Sequence, residues 1–112
     1  MTPTKTWKSF ELRVAKWFGG RRRGADFRNR YAAGGRNDVI KEGWSIECKL
    51  LARPSFGEML AAVKQAEAAR DNPDDIAVAV VKRNGDRDDD SLFIFRKREF
   101  LDNFVSPTTN GD

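Results

Sequence analysis

Apolar residues return every three or four positions from Trp7 to Phe18, as Trp7, Phe10, Val14, Trp17 and Phe18, and this spacing predicts an amphipathic helix. Thr4 or Thr6 can cap its start, and Gly19-Gly20 can take the left-handed turn that ends it. A basic loop over 21–25, a short strand at Asp26–Tyr31 and a small-residue loop at Ala32–Arg36 are expected next. Val39-Ile40 and Trp44–Leu51 read as the arms of a hairpin around a two-residue turn at Glu42-Gly43. Pro54 closes the second arm. Ser55, with Glu58 three residues on, is a capping box opening a helix that carries Met59, Leu60, Ala62, Val63 and Ala66 inward and ends before Pro73. Ile76–Val81 is an unbroken apolar run, the mark of a strand covered on both faces. Asn84-Gly85 turns the chain into an acidic loop at Asp86–Asp90, Leu92–Phe95 predicts another strand, and Lys97–Phe104 predicts a closing helix with Phe100, Leu101 and Phe104 inward. The order α-β-β-β-α-β-β-α predicts an α/β fold with a central mixed sheet flanked by helices. A chain of 112 residues has room for one domain, placed at 1–105, with 106–112 as a flexible tail.

Alternation along the second hairpin arm carries the first chemical signal. Side chains of alternate residues share a face, so Trp44, Ile46, Cys48 and Leu50 should face the core and Ser45, Glu47 and Lys49 the other side. With Glu42-Gly43 as the turn, Lys41 opposes Trp44, Ile40 opposes Ser45, Val39 opposes Ile46 and Asp38 opposes Glu47. This register gathers Asp38, Glu47 and Lys49. Two carboxylates roughly 4 Å apart repel by about 4 kcal/mol at an effective dielectric near 20, a cost that a bound divalent cation reverses. Taken alone, the spacing equally fits a solvated charged hairpin face. Glu11 stands in the stripe Trp7, Glu11, Val14, Phe18, where an acid either reaches past the edge to water or serves a site. Lys64 and Gln65 lie at the polar boundary of the second helix, able to reach the site edge or to face solvent. Cys48 reads as a small core residue whose backbone carbonyl could serve as a metal ligand.

Composition narrows the chemistry. The chain has no histidine and one cysteine, which excludes an intramolecular disulfide, a Cys/His zinc site and a Ser-His-Asp triad. Any metal must be held by oxygen, which suits Mg²⁺ or Mn²⁺. No run of about 18 apolar residues exists, and the N-terminus lacks the apolar stretch of a signal peptide, so neither a membrane partner nor export is expected. Residues 1–53 carry a net charge of +8 and residues 54–112 a net −4, together the +4 of the chain. The basic half holds Arg21, Arg22, Arg23, Arg28, Arg30 and Arg36, interleaved with Phe27 and Tyr31. Guanidinium groups bond phosphate oxygens in pairs, so this cluster points to nucleic acid, the alternative being a solvated basic loop.

Five segments, Phe-Glu-Leu-Arg-Val-Ala-Lys at 10–16, Asn-Asp-Val-Ile at 37–40, Ile-Glu-Cys-Lys at 46–49, Lys-Gln-Ala-Glu-Ala at 64–68 and Ala-Val-Val-Lys-Arg-Asn-Gly at 79–85, resemble the PD-(D/E)xK nuclease superfamily. The likeness covers about residues 7–104 and is nearest to the small Holliday junction resolvases of archaeal and phage type. It implies a restriction-endonuclease-like core and a Mg²⁺-dependent endodeoxyribonuclease. Catalysis would fall to Glu11, Asp38, Glu47, Lys49 and Gln65. One or two Mg²⁺ or Mn²⁺ ions would sit on Asp38, Glu47, Glu11 and the Cys48 carbonyl. Arg21, Arg22, Arg23, Arg28, Arg30, Arg36, Arg53 and Lys64 would contact DNA. The resemblance further implies a homodimer acting on branched, four-way DNA in the cytoplasm of a prokaryote or a phage-infected host. Asn37 departs from the Pro or Gly usual before the aspartate, and the Ala-Ala-Gly-Gly-Arg loop lacks the serine of many resolvases. The competing readings are another DNA nuclease of the same fold, restriction- or repair-like, and a nucleic-acid-binding module without catalysis.

Overall fold

The structure, a computed structural model, describes residues 6–23 and 38–105; the strand expected at Asp26–Tyr31 and the tail expected at 106–112 lie outside them. Helix α1 spans Thr6–Phe18. It ends as its glycines require: Gly19 takes φ 70°, its N–H donates to the Lys16 carbonyl at 3.1 Å, and the Gly20 N–H donates to the Ala15 carbonyl at 2.8 Å. The chain reverses straight into a strand, β1 (Arg21–Arg22), where a basic loop is expected from sequence. β1 pairs antiparallel with β2 (Val39–Ile40), Arg21 opposite Ile40 and Arg22 opposite Val39. Two arginines carry no alternation signal. The pairing depends on Gly20, where a Cβ would collide with the Ile40 carbonyl oxygen.

The hairpin forms in the expected register. Gly43 takes φ 86° in the turn, the Trp44 N–H donates to the Lys41 carbonyl at 3.0 Å, and Val39 of β2 pairs with Ile46 of β3 (Trp44–Leu51). Helix α2 (Phe56–Ala68) opens with the capping box: Ser55 Oγ accepts the Glu58 N–H, and the Ser55 N–H donates to Glu58 Oε1, both at 3.1 Å. β4 (Ile76–Arg83) runs parallel to β3, as a helical crossover allows. A turn at Asn84-Gly85 and a 3₁₀ turn at Asp88–Asp90 lead to β5 (Leu92–Ile94), antiparallel to β4, and α3 (Lys97–Phe104) closes the chain. The result is an α/β fold with a five-stranded mixed sheet in the order β1-β2-β3-β4-β5, in which β2 and β5 run against the other three.

Both faces of the sheet are covered. Phe10, Val14 and Ala15 of α1 pack on Val39, Ile46, Cys48, Val78 and Val80, whereas Ala62 and Val63 of α2 pack on Ala79 and Val81. The Ser45 face is therefore interior as well. Ser45 is fully buried and its Oγ donates to the Ala66 carbonyl at 2.5 Å, tying β3 to α2. α3 corrects a second expectation. Phe100, Leu101 and Phe104 remain substantially exposed, their rings gathered with Phe95 and Trp44, while Glu99 is the buried residue and takes the guanidinium of Arg70 at 2.5 Å. An arginine on the neighbouring element outweighs the apolar pattern at that face. Among the described residues no helix is long and apolar enough to cross a membrane.

Candidate active site

β2 pairs with β3 only as far as Val39, and the edge of β3 beyond Ile46 meets Asp38 instead of a strand. The Asp38 N–H donates to the Ile46 carbonyl at 3.0 Å, and the Asp38 carboxylate accepts the Cys48 N–H at 2.9 Å. One residue thus spans β3 from 46 to 48, bracketing Glu47. The N–H and C=O of a strand residue point to the same edge, so the Cys48 carbonyl also faces the Asp38 side. Asp38 and Glu47 line the same cavity, and the Asp38 charge acts on the Glu47 carboxyl. Lys49, one alternation further along β3, brings Nζ to 3.5 Å from Glu47 Oε2.

Glu11 reaches the same place from α1. It is only 8% exposed, so it does not reach past the stripe to solvent. Its Oε1 accepts the Nε–H of Arg22 at 2.7 Å, and the guanidinium lies 5.6 Å from the Trp7 ring centre. Glu11, Asp38, Glu47, Cys48 and Lys49 line one cavity of about 250 Å³, completed by Trp7, Phe10 and Leu50.

Electrostatics set this cavity apart. Burial, reinforced by the Asp38 charge and opposed by Lys49, raises the Glu47 carboxyl from its ordinary 4.5 to about 7. Burial also raises Asp38, against the Cys48 N–H, and raises Glu11, against its bond to Arg22. Burial pushes the Cys48 thiol up, and the surrounding carboxylates push it further, so it is no nucleophile. Carboxyls held above their ordinary range in one cleft mark it as the candidate functional site.

The donor set is all oxygen, which fits a hard divalent cation. Asp38 and Glu47 converge, and the Cys48 carbonyl faces them. As the side chains stand, no three Asp, Glu, Cys or His side chains among the described residues form a metal-holding group, and Glu11 is bonded to Arg22.

The remaining sequence candidates are dispersed. Lys64 and Gln65 are exposed on α2 and line no part of this cavity. Arg53 is exposed in the loop after β3, and Arg21 is exposed on β1. Arg23 turns toward Asp71 at 4.0 Å, with its own N–H donating to the Asp38 carbonyl at 2.9 Å. Arg28, Arg30 and Arg36 lie outside the described residues. Sequence reasoning missed that Arg22 is a partner of Glu11. The signal is a strand at Arg21–Arg22, since a strand folded back beside α1 aims one of its two side chains at that helix.

Compared with protein-family models, curated proteins and solved structures, the chain matches none.

Proposed function

We propose that the protein is a metal-dependent DNA endonuclease with a restriction-endonuclease-like core of the PD-(D/E)xK type, and that its favoured substrate is a four-way junction. The observation that carries this reading is the pairing of Asp38 with a Glu47 raised to about 7, beside Lys49, in one cavity with Glu11. A hairpin serving stability alone avoids a buried carboxylate beside a second one. The element order and the mixed sheet covered on both faces support the same reading.

Asp38, Glu47 and the Cys48 carbonyl are the groups that would hold a Mg²⁺ or Mn²⁺ ion. Such an ion, when bound, supplies Lewis-acid activation of water and neutralises charge on the scissile phosphate. Lys49 keeps its ammonium at the Glu47 carboxylate, where it orients the attacking water and stabilises the charge that develops on the phosphate oxygens. Asp38 is pre-positioned by the Cys48 N–H, so little reorganisation is needed at the moment of reaction. Basic residues of the first half, Arg21 foremost among those described, would grip the backbone, giving salt-dependent affinity without sequence preference. Two symmetric cuts need two such sites, which a two-fold homodimer supplies. The setting that follows from this activity is the cytoplasm of a prokaryotic or phage-infected cell.

The test is cleavage of a four-way junction and of linear duplex of the same sequence, with added Mg²⁺. Junction cleavage that exceeds duplex cleavage, disappears in Asp38→Ala and Glu47→Ala, and leaves DNA binding intact is the expected result. Equal rates on both substrates would reduce the proposal to a general nuclease of this fold. Binding without cleavage by any variant or by the wild type would leave a nucleic-acid-binding module.

A further inference from the structure

Three carboxylates line the cavity, and each has a partner: Glu11 takes Arg22, Glu47 faces Lys49 and Asp38 accepts the Cys48 N–H. The Arg22–Glu11 pair is short, at 2.7 Å, and mostly buried, with side-chain exposures of 20% and 10%. It is also braced: Arg22 sits in β1, paired to Val39, the residue next to Asp38, and its guanidinium lies against Trp7 of α1. The arginine is thus fixed beside the acid cluster. Its exposed fifth is what an incoming phosphate would meet. Phosphate binds a guanidinium with the same paired geometry as a carboxylate and brings more charge. Drawing Arg22 outward would free Glu11, which shares its cavity with Asp38 and Glu47.

Resting on the nuclease reading above, we propose that Arg22 is a positioning residue that holds Glu11 out of the cation-binding set, and that a DNA phosphate competes for its guanidinium and releases Glu11. The complete three-carboxylate site then assembles only on substrate, which protects the two-carboxylate site from tight ion binding in free protein. Substrate and cation would favour each other, since each is worth more once the other has engaged the separated pair.

The test is calorimetric titration of Mn²⁺ alone into the full chain and its variants. Arg22→Gln is expected to bind Mn²⁺ at least about tenfold more tightly than wild type. Removing any nearby positive charge strengthens cation binding to some degree, so the double variant decides. Measured against Glu11→Gln alone, Arg22→Gln in the Glu11→Gln background should give no gain, whereas a general field effect would survive there. Arg22→Lys, which keeps the charge and fold, should stay near the wild-type affinity. In metal-free protein with chelator, the carboxyl ¹³C resonance of Glu11 should move when short duplex DNA is added to the wild type and stay still in Arg22→Gln. An unchanged Mn²⁺ affinity in Arg22→Gln, a gain that persists without Glu11, or a Glu11 resonance indifferent to DNA would overturn the inference while leaving the two-carboxylate site standing. Failure of every form, wild type included, to bind Mn²⁺ would overturn the nuclease reading and the inference with it.

Discussion

Glu47 is where structure and chemistry conflict most openly. It is 6% exposed, beside another carboxylate, and its carboxyl is raised to about 7 by burial first and the Asp38 charge second. The unfolded chain releases this proton near pH 4.5, so between about 4.5 and 7 the folded state holds more protons. Stability therefore falls as pH rises through that window. At about 1.4 kcal/mol per pKa unit the whole effect is roughly 3 kcal/mol. Glu47→Gln should have little effect at pH 5 and should stabilise the metal-free protein by up to about 3 kcal/mol at pH 8, read from urea unfolding with chelator present. A variant destabilised at both values would show that Glu47 is a structural acid. The carboxylate cluster was legible in the sequence because period-two alternation and one turn fix where 38, 47 and 49 lie. Glu11 was legible only as an anomaly in an apolar stripe; its partner came from β1, which no local pattern announces.

At the scale of elements, those with strong local signals were readable. The capping box fixed the start of α2, the apolar run marked β4, and the glycines at 19 and 43 took their left-handed turns. β1 was not readable, because two arginines become a strand only through pairing with β2. α3 was readable in extent but not in orientation: Arg70 draws Glu99 inward, and the phenylalanines stay at the rim. Gln65 fell on the exposed side of α2 because the buried side belongs to Ala62, Val63 and Ala66. The contact between Gly20 and Ile40 gives a test of how β2 carries the site. Gly20→Ala should cost about 1–3 kcal/mol, since backbone must move, and should also weaken Mn²⁺ binding because Asp38 follows β2. Ser55→Ala should cost about 1 kcal/mol through the lost cap and leave Mn²⁺ affinity unchanged. Thermal melts and Mn²⁺ titrations of the two variants separate these effects. Equal affinities would mean that β2 does not position Asp38.

For the molecule as a whole, a mixed sheet covered on both faces leaves its acid cluster where, among the described residues, β2 stops short of the later part of β3. Glu11, Asp38, Glu47 and Lys49 converge there from α1, the residue before β2, and β3. Of the rings left at the surface, Trp7 lines that cavity, whereas Trp17 and Phe93, stacked at 6.5 Å, and Phe56, at 75% exposure, do not. Everything functional still depends on whether the acids bind a cation. The most direct measurement is a calorimetric titration of Mg²⁺ and Mn²⁺ into the wild type at a series of pH values. Binding should be present at pH 8, weaken by up to about tenfold per pH unit below about 7 as Glu47 takes up its proton, and vanish in Asp38→Ala. Absence of binding at pH 8, or an affinity indifferent both to pH and to the loss of Asp38, would contradict the account.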